Sequence, residues 1–177
     1  MILRVFSFQE RDIDNLTEGY ETMDKDEIIS TLNDLIETCK DGEAGFRSCI
    51  DDVQAPQFKT LFRDRLQDCK NAAAELQEIV RSLGGDPETR SSFSGVLHRR
   101  WLDIKSIITG HDDLAILEEC ERGQDLARRN YRNALEKVLP PEIRVSVERQ
   151  YQDVIRNHDH IKNLHDELQS SKNLGRR

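Results

Sequence analysis

Four side chains of this sequence have the chemistry of metal ligands or of their hydrogen-bonded substitutes: Glu43, Glu121, Gln124 and His158. Carboxylate oxygens and an imidazole nitrogen together suit iron, manganese or zinc as the cofactor. Gln124 departs from such a set, because a neutral amide offsets no cation charge. If the same residues are buried without metal, their polar atoms need partners, so a closed hydrogen-bonded network is the competing reading. The other histidines fit less well. His98 lies beside Arg99-Arg100-Trp101, His160 falls off the apolar stripe of its segment, and His165 lies towards an open end. Cys39, Cys49, Cys69 and Cys120 make no CxxC pair and read as reduced, buried thiols of a reducing compartment. No Gly-rich phosphate loop, nucleophile elbow or serine–histidine signature points to an enzyme.

Only long helices can bring these residues together. Lys25 to Val53 carries an inward stripe of Ile28, Leu32, Leu35, Cys39, Gly42, Phe46, Cys49 and Val53, in alternating steps of four and three. Gly42 is a poor helix former in that seam, where it permits close approach of a neighbour. Pro56 to Leu83 follows after a short break, with Phe62, Leu66, Cys69, Ala73, Leu76, Val80 and Leu83 inward and Gly84-Gly85-Asp86-Pro87 as its stop. The third long helix, Asp113 to Leu139, places Leu117, Cys120, Gln124, Ala127, Tyr131, Ala134 and Val138 on one face. The fourth, Pro141 to Gln169, places Val147, Tyr151, Val154, His158, Ile161, His165 and Leu168 there. Between the second and third, Phe93 to Thr109 reads as a shorter crossover helix. Residues 1–23 lack a sustained period and read as an N-terminal extension without fixed structure; residues 24–169 are the bundle, and 170–177 a basic flexible tail.

Two helical hairpins joined by one long crossover make an all-α, ferritin-like four-helix bundle, in which the first and fourth helices rise and the other two descend. At 1.5 Å per residue, Glu43, Gln124 and His158 fall at roughly the same height, near 24 Å, with Cys69 within a turn of them. The di-iron form of this bundle takes a Glu from each of two helices and a Glu-x-x-His from each of the others. No Glu-x-x-His occurs in the chain. A thiolate site from Cys39, Cys69 and Cys120 fails on reach: Cys39 and Cys120 differ by roughly 10 Å in height, against Zn–S bonds of about 2.3 Å.

The formal net charge of −8 disfavours nucleic acid as a partner. No apolar run is long enough for a membrane span, and Met1-Ile2-Leu3-Arg4-Val5-Phe6 lacks the length and cleavage site of a signal peptide, so a cytoplasmic location is expected. A homo-oligomer or other helical interaction module, without catalysis, is the alternative to a metal-handling bundle.

Five short motifs occur in order: Lys40-Asp41-Gly42-Glu43-Ala44-Gly45-Phe46, Leu83-Gly84-Gly85-Asp86-Pro87, Gly95-Val96-Leu97-His98-Arg99-Arg100-Trp101, Glu121-Arg122-Gly123-Gln124-Asp125 and His158-Asp159. With them the chain, over about residues 24–168, resembles a bacterial four-helix-bundle family of unknown function within the ferritin-like (rubrerythrin/ferritin) superfamily. The resemblance implies a cytoplasmic protein without established enzymatic activity, with a role in metal handling or stress expected by analogy. The family pattern has a glutamate where Gln124 stands, which weakens any inherited metal site.

Overall fold

The computed structural model describes residues 23–88 and 112–174. The extension before Met23, the crossover helix expected at Phe93 to Thr109 and the last residues after Leu174 lie outside the described residues. Asp24 opens the first helix, α1 (Lys25–Asp52), by accepting the Glu27 N–H at 2.8 Å. The second, α2 (Pro56–Ser82), starts on a proline, whose missing N–H is no loss in a first turn. Gly84, at φ 72°, closes α2 in the left-handed region that glycine tolerates. Asp112 caps α3 (Asp113–Leu135) through the Leu114 N–H at 3.1 Å. The last helix, α4, runs Pro141–Leu174.

Two boundaries differ from those read in the sequence. The third helix ends at Leu135 rather than Leu139: Glu136 to Leu139 form tight turns instead, with Lys137 N–H on Ala134 O and Leu139 N–H on Lys137 O. This brings Leu139 into the core and leaves Val138, expected on the inward stripe, 50% exposed. The fourth helix continues past Gln169 to Leu174, and Lys172 holds it to the Asp112 carboxylate at the start of α3.

Cross-helix contacts set the register. α1 runs against α3: Thr31 meets Lys137, Thr38 meets Asn130, Cys39 meets Tyr131 and Cys49 meets Cys120. At the top, the Asp113 carboxylate takes the N–H groups of Gln54 and Ala55 in the α1–α2 turn, at 2.8 and 3.1 Å. α4 in turn runs against both α3 and α2, through Tyr131–Gln150 and Glu75–Arg149. α2 and α3 therefore point the same way, the ferritin-like connectivity, and no strand occurs among the described residues.

The apolar core comes in two halves. The lower half centres on Leu32, Leu35, Leu76, Val80, Ala134 and Val147. The upper half centres on Phe46, Val53, Phe62, Ile116, Leu117 and Ile161. Full burial of each Val, Leu, Ile or Phe side chain among them contributes about 1.5–3 kcal/mol, so both ends of the bundle are firmly held. The middle is different.

Candidate functional site

Between the two halves the inward stripes change character. Gly42 on α1, Cys69 on α2 and Gln124 on α3 line a cavity of about 370 Å³ to which all four helices contribute. Gly42 is there to make room for a thiol: a Cβ at this position would stand 2.9 Å from Cys69 Sγ. The close approach expected at this glycine is thus that of a side chain. The cavity reaches outward along the seam between α2 and α4, which touch only sparingly, from Asp68 to Glu75 on one side and Arg149 to Asn157 on the other.

All four cysteines line this space and all are free. Cys49 Sγ and Cys120 Sγ lie 2.9 Å apart across the α1–α3 interface. Cys39 Sγ lies 3.2 Å from Tyr131 Oη. The Tyr131 hydroxyl donates to Gln150 Oε1 at 2.8 Å, so the Cys39 thiol is the donor to Tyr131. Gln150 Nε2 donates to Glu75 Oε2 at 2.8 Å, and Arg149 donates to both oxygens of the same carboxylate. A continuous chain of hydrogen bonds therefore runs from a buried thiol on α1, through α3 and α4, to a half-exposed ion pair on α2.

Burial decides the charge of this interior. It pushes the Cys39 thiol up to about 11, although the Tyr131 hydrogen bond and Lys40 pull it partly back. Burial also raises Cys69 and Tyr131, reinforced by neighbouring groups that include Cys39. Cys120 is raised well above the ordinary range by burial and by its contact with Cys49. At the mouth the balance reverses. Partial burial works against the Glu75 carboxylate, but hydrogen bonds from Arg149 and Gln150 outweigh it and hold its pKa below the usual value. Neutral pH thus leaves these thiols and the phenol uncharged, with the charges confined to the rim.

Gln124 is the unbalanced member. It is 7% exposed and lines the cavity, yet its Oε1 has no hydrogen-bond partner. A buried acceptor without a donor costs about 1–3 kcal/mol, so its retention calls for an explanation.

The four residues singled out as ligands do not converge. Glu43 turns into the α1–α2 seam, where it meets Arg47 at 2.6 Å, Lys40 at 3.7 Å and Lys70 at 3.9 Å. His158 is buried but turns into the α3–α4 seam, among Asp125 at 3.2 Å, Asp159 at 3.0 Å and Arg128. Glu121 shares that seam with Lys162 and His165. Only Gln124 faces the cavity. Among the described residues, no group of three or more His, Cys, Asp or Glu is placed to hold a metal ion. The rim carboxylates are matched by arginines instead: Glu75 by Arg149, Asp68 by Arg65 and Asp153 by Arg156. The donor set at the centre, thiols, a phenol and amides, does not fit a dinuclear carboxylate centre, which draws carboxylates inward from all four helices.

Two features escaped sequence reasoning. Gln150 is 3% exposed, whereas its neighbour Tyr151, assigned to the stripe, is only half-buried. Cys49 and Cys120 were read as separate core thiols, and only the register between α1 and α3 brings them together.

Connectivity and centre together define the class: an all-α ferritin-like bundle whose middle layer is a thiol- and amide-lined cavity. The chain belongs to the family described as "Domain of unknown function (DUF2383)", whose model matches residues 27–137, more than half of the chain. Solved structures confirm the fold. One is a two-domain protein from Anabaena variabilis with DJ-1/ThiJ/PfpI-like and ferritin-like domains, at TM-score 0.69 and 11% identity over 96% of this chain. The present chain spans about half of that protein, 45% of its length. Another is a ferritin-like, diiron-carboxylate protein from Bacillus anthracis, at TM-score 0.63 and 18% identity, with 81% of this chain and 99% of that one covered. No curated protein matches the sequence. No helix among the described residues is long and apolar enough to cross a membrane.

Proposed function

We propose that the bundle is a binding protein for a small, uncharged, largely apolar molecule that carries one hydrogen-bond donor. The observation that carries this reading is the unpaired Gln124 Oε1, buried on a side chain that lines a cavity where burial holds Cys39, Cys69, Cys120 and Tyr131 neutral. An acceptor in such a place is satisfied by a ligand N–H or O–H, while the rest of the molecule meets Cys, Phe46 and Ala72 surfaces. The volume, about 370 Å³, falls within the range of small-molecule sites. At the centre, inward of the rim pairs such as Glu75 with Arg149, a charged ligand would lose its hydration among neutral thiols and amides. The separation of Glu43 from His158 weighs against hard-metal handling, and a metal or stress role then rests on the likeness of fold alone.

Indole and indene test this, because they share a shape and differ in the N–H. Indole is expected to raise the Tm of the full chain in a concentration-dependent way and indene to do so much less. In Gln124→Leu the two probes are expected to act alike. Equal effects of both probes on the wild-type protein would overturn the proposal.

A further inference from the structure

The cavity holds a second reactive feature that ligand binding does not use. Cys49 and Cys120 are 2% and 6% exposed, come from two helices that run antiparallel, and bring their sulfur atoms to 2.9 Å. No carboxylate, imidazole or third thiol joins them in a metal-holding group among the described residues. Both line the cavity, so a molecule that enters it reaches them.

We propose that Cys49 and Cys120 are an oxidation site, closed to a disulfide between α1 and α3 by a small neutral hydroperoxide that enters through the cavity. The sulfur of one thiol attacks a peroxide oxygen while its proton passes to the other peroxide oxygen. The O–O bond breaks, the departing oxygen leaves as water, and a sulfenic acid remains. The second thiol then attacks that sulfur, the S–O bond breaks, and the hydroxyl group leaves as water with the second thiol's proton. Two thiols and one hydrogen peroxide thus give one disulfide and two waters. The product needs the sulfur atoms to close by roughly 0.9 Å to an S–S bond of about 2.05 Å.

Charge favours this product over a soft-metal thiolate. A disulfide is neutral, whereas two thiolates around a monovalent ion leave a net negative charge next to Phe46, Ile116 and Leu117. Cys49 and Cys120 are 2% and 6% exposed, so large, charged disulfides, which exchange with exposed thiolates, do not reach them. Selectivity for a small neutral oxidant follows from access. Cys39, bonded to Tyr131, and Cys69, packed against Gly42, have no sulfur partner at comparable distance. The inference is independent of the ligand reading: thiol pairing does not pass through Gln124, and either can fail without the other.

The test uses the reduced full chain, exposed separately to hydrogen peroxide and to glutathione disulfide, then unfolded in an alkylating agent and analysed by intact mass and peptide mapping. Peroxide is expected to protect two cysteines and to yield a linked Cys49–Cys120 peptide that dithiothreitol releases, while glutathione disulfide leaves all four alkylated. Cys49→Ser and Cys120→Ser are each expected to abolish the linkage, and Cys69→Ser to retain it. Circular dichroism of the variants identifies any that fail to fold; the wild-type peptide map stands without them. Linkage through Cys39 or Cys69, sulfinic acids without linkage, or four alkylated thiols after peroxide would each overturn the proposal. So would tight Ag⁺ binding that blocks both thiols in a protein that peroxide leaves unlinked.

Discussion

Gln124→Leu is expected to stabilise the ligand-free protein, although it removes a buried polar group from the bundle centre. The wild-type Oε1 is buried and without a partner, so about 1–3 kcal/mol of desolvation is uncompensated, and leucine of similar shape removes that penalty. For a domain of this size, each kcal/mol shifts Tm by roughly 2–4 °C, so a rise of about 3–10 °C is expected. Tyr131→Phe, a similar replacement of a buried polar group by an apolar one, is expected to act with the opposite sign. The Tyr131 hydroxyl donates to Gln150 Oε1 at 2.8 Å and receives the Cys39 thiol, and Gln150 is 3% exposed. Removing it strands a buried acceptor at a loss of about 1–3 kcal/mol, hence a Tm lower by roughly 3–10 °C. The assay is thermal unfolding by circular dichroism, with urea midpoints as a second measure. A Gln124→Leu variant that loses as much stability as Tyr131→Phe would mean that Gln124 is already paired, and the reasoning about its vacant acceptor would fall.

Gln124→Glu is expected to lower Tm, by placing a carboxylate among buried thiols, and Fe²⁺, Mn²⁺ or Zn²⁺ is not expected to restore it, because Glu43 and His158 face opposite seams; a clear metal-dependent rise in its Tm would revive the metal reading. Alkaline pH is expected to destabilise the fold. The Cys39 thiol is raised from 9.0 to about 11 in the folded state, so its contribution is complete below pH 9 and is lost as pH rises through about 11. That loss amounts to roughly 3 kcal/mol, and Cys39→Ala, itself weaker at neutral pH, is expected to show a smaller decline in urea midpoint between pH 8 and 11. Gly42→Ala is expected to gain about 1 kcal/mol of helix propensity in a Cys69→Ala background and less, or nothing, beside the native thiol, where its Cβ would lie 2.9 Å from Sγ; equal effects in a double-mutant cycle would show that the two positions are uncoupled.

Much of the frame was legible in the sequence. Pro56 and Gly84 mark helix ends because such signals act through the local backbone. Counting residues along the helices also placed Glu43, Cys69, Gln124 and His158 near one level, and the cross-helix pairs set that register. Rotation about each helix axis was less accessible. Glu43 and His158 lie at stripe edges, where a modest turn exchanges the centre for a seam, and long partners such as Lys70 and Arg128 decide which way they face. Gln150 illustrates the same limit, since nothing in a hydropathy pattern distinguishes it from Gln152. Its burial depends on Tyr131 and Glu75, contributed by other helices. The Cys49–Cys120 contact was hidden differently: two cysteines read separately as small core residues become a pair only once the antiparallel register of α1 and α3 is known.

The central claim is that the middle of the bundle is a ligand cavity with one free acceptor, and crystals of the protein grown with indole address it most directly. Indole is expected within the cavity, its N–H at hydrogen-bond distance from Gln124 Oε1 and its ring against Phe46 and Ala72. Indole bound only at the surface, or a cavity closed by Gln124 turned onto a protein donor, would contradict it.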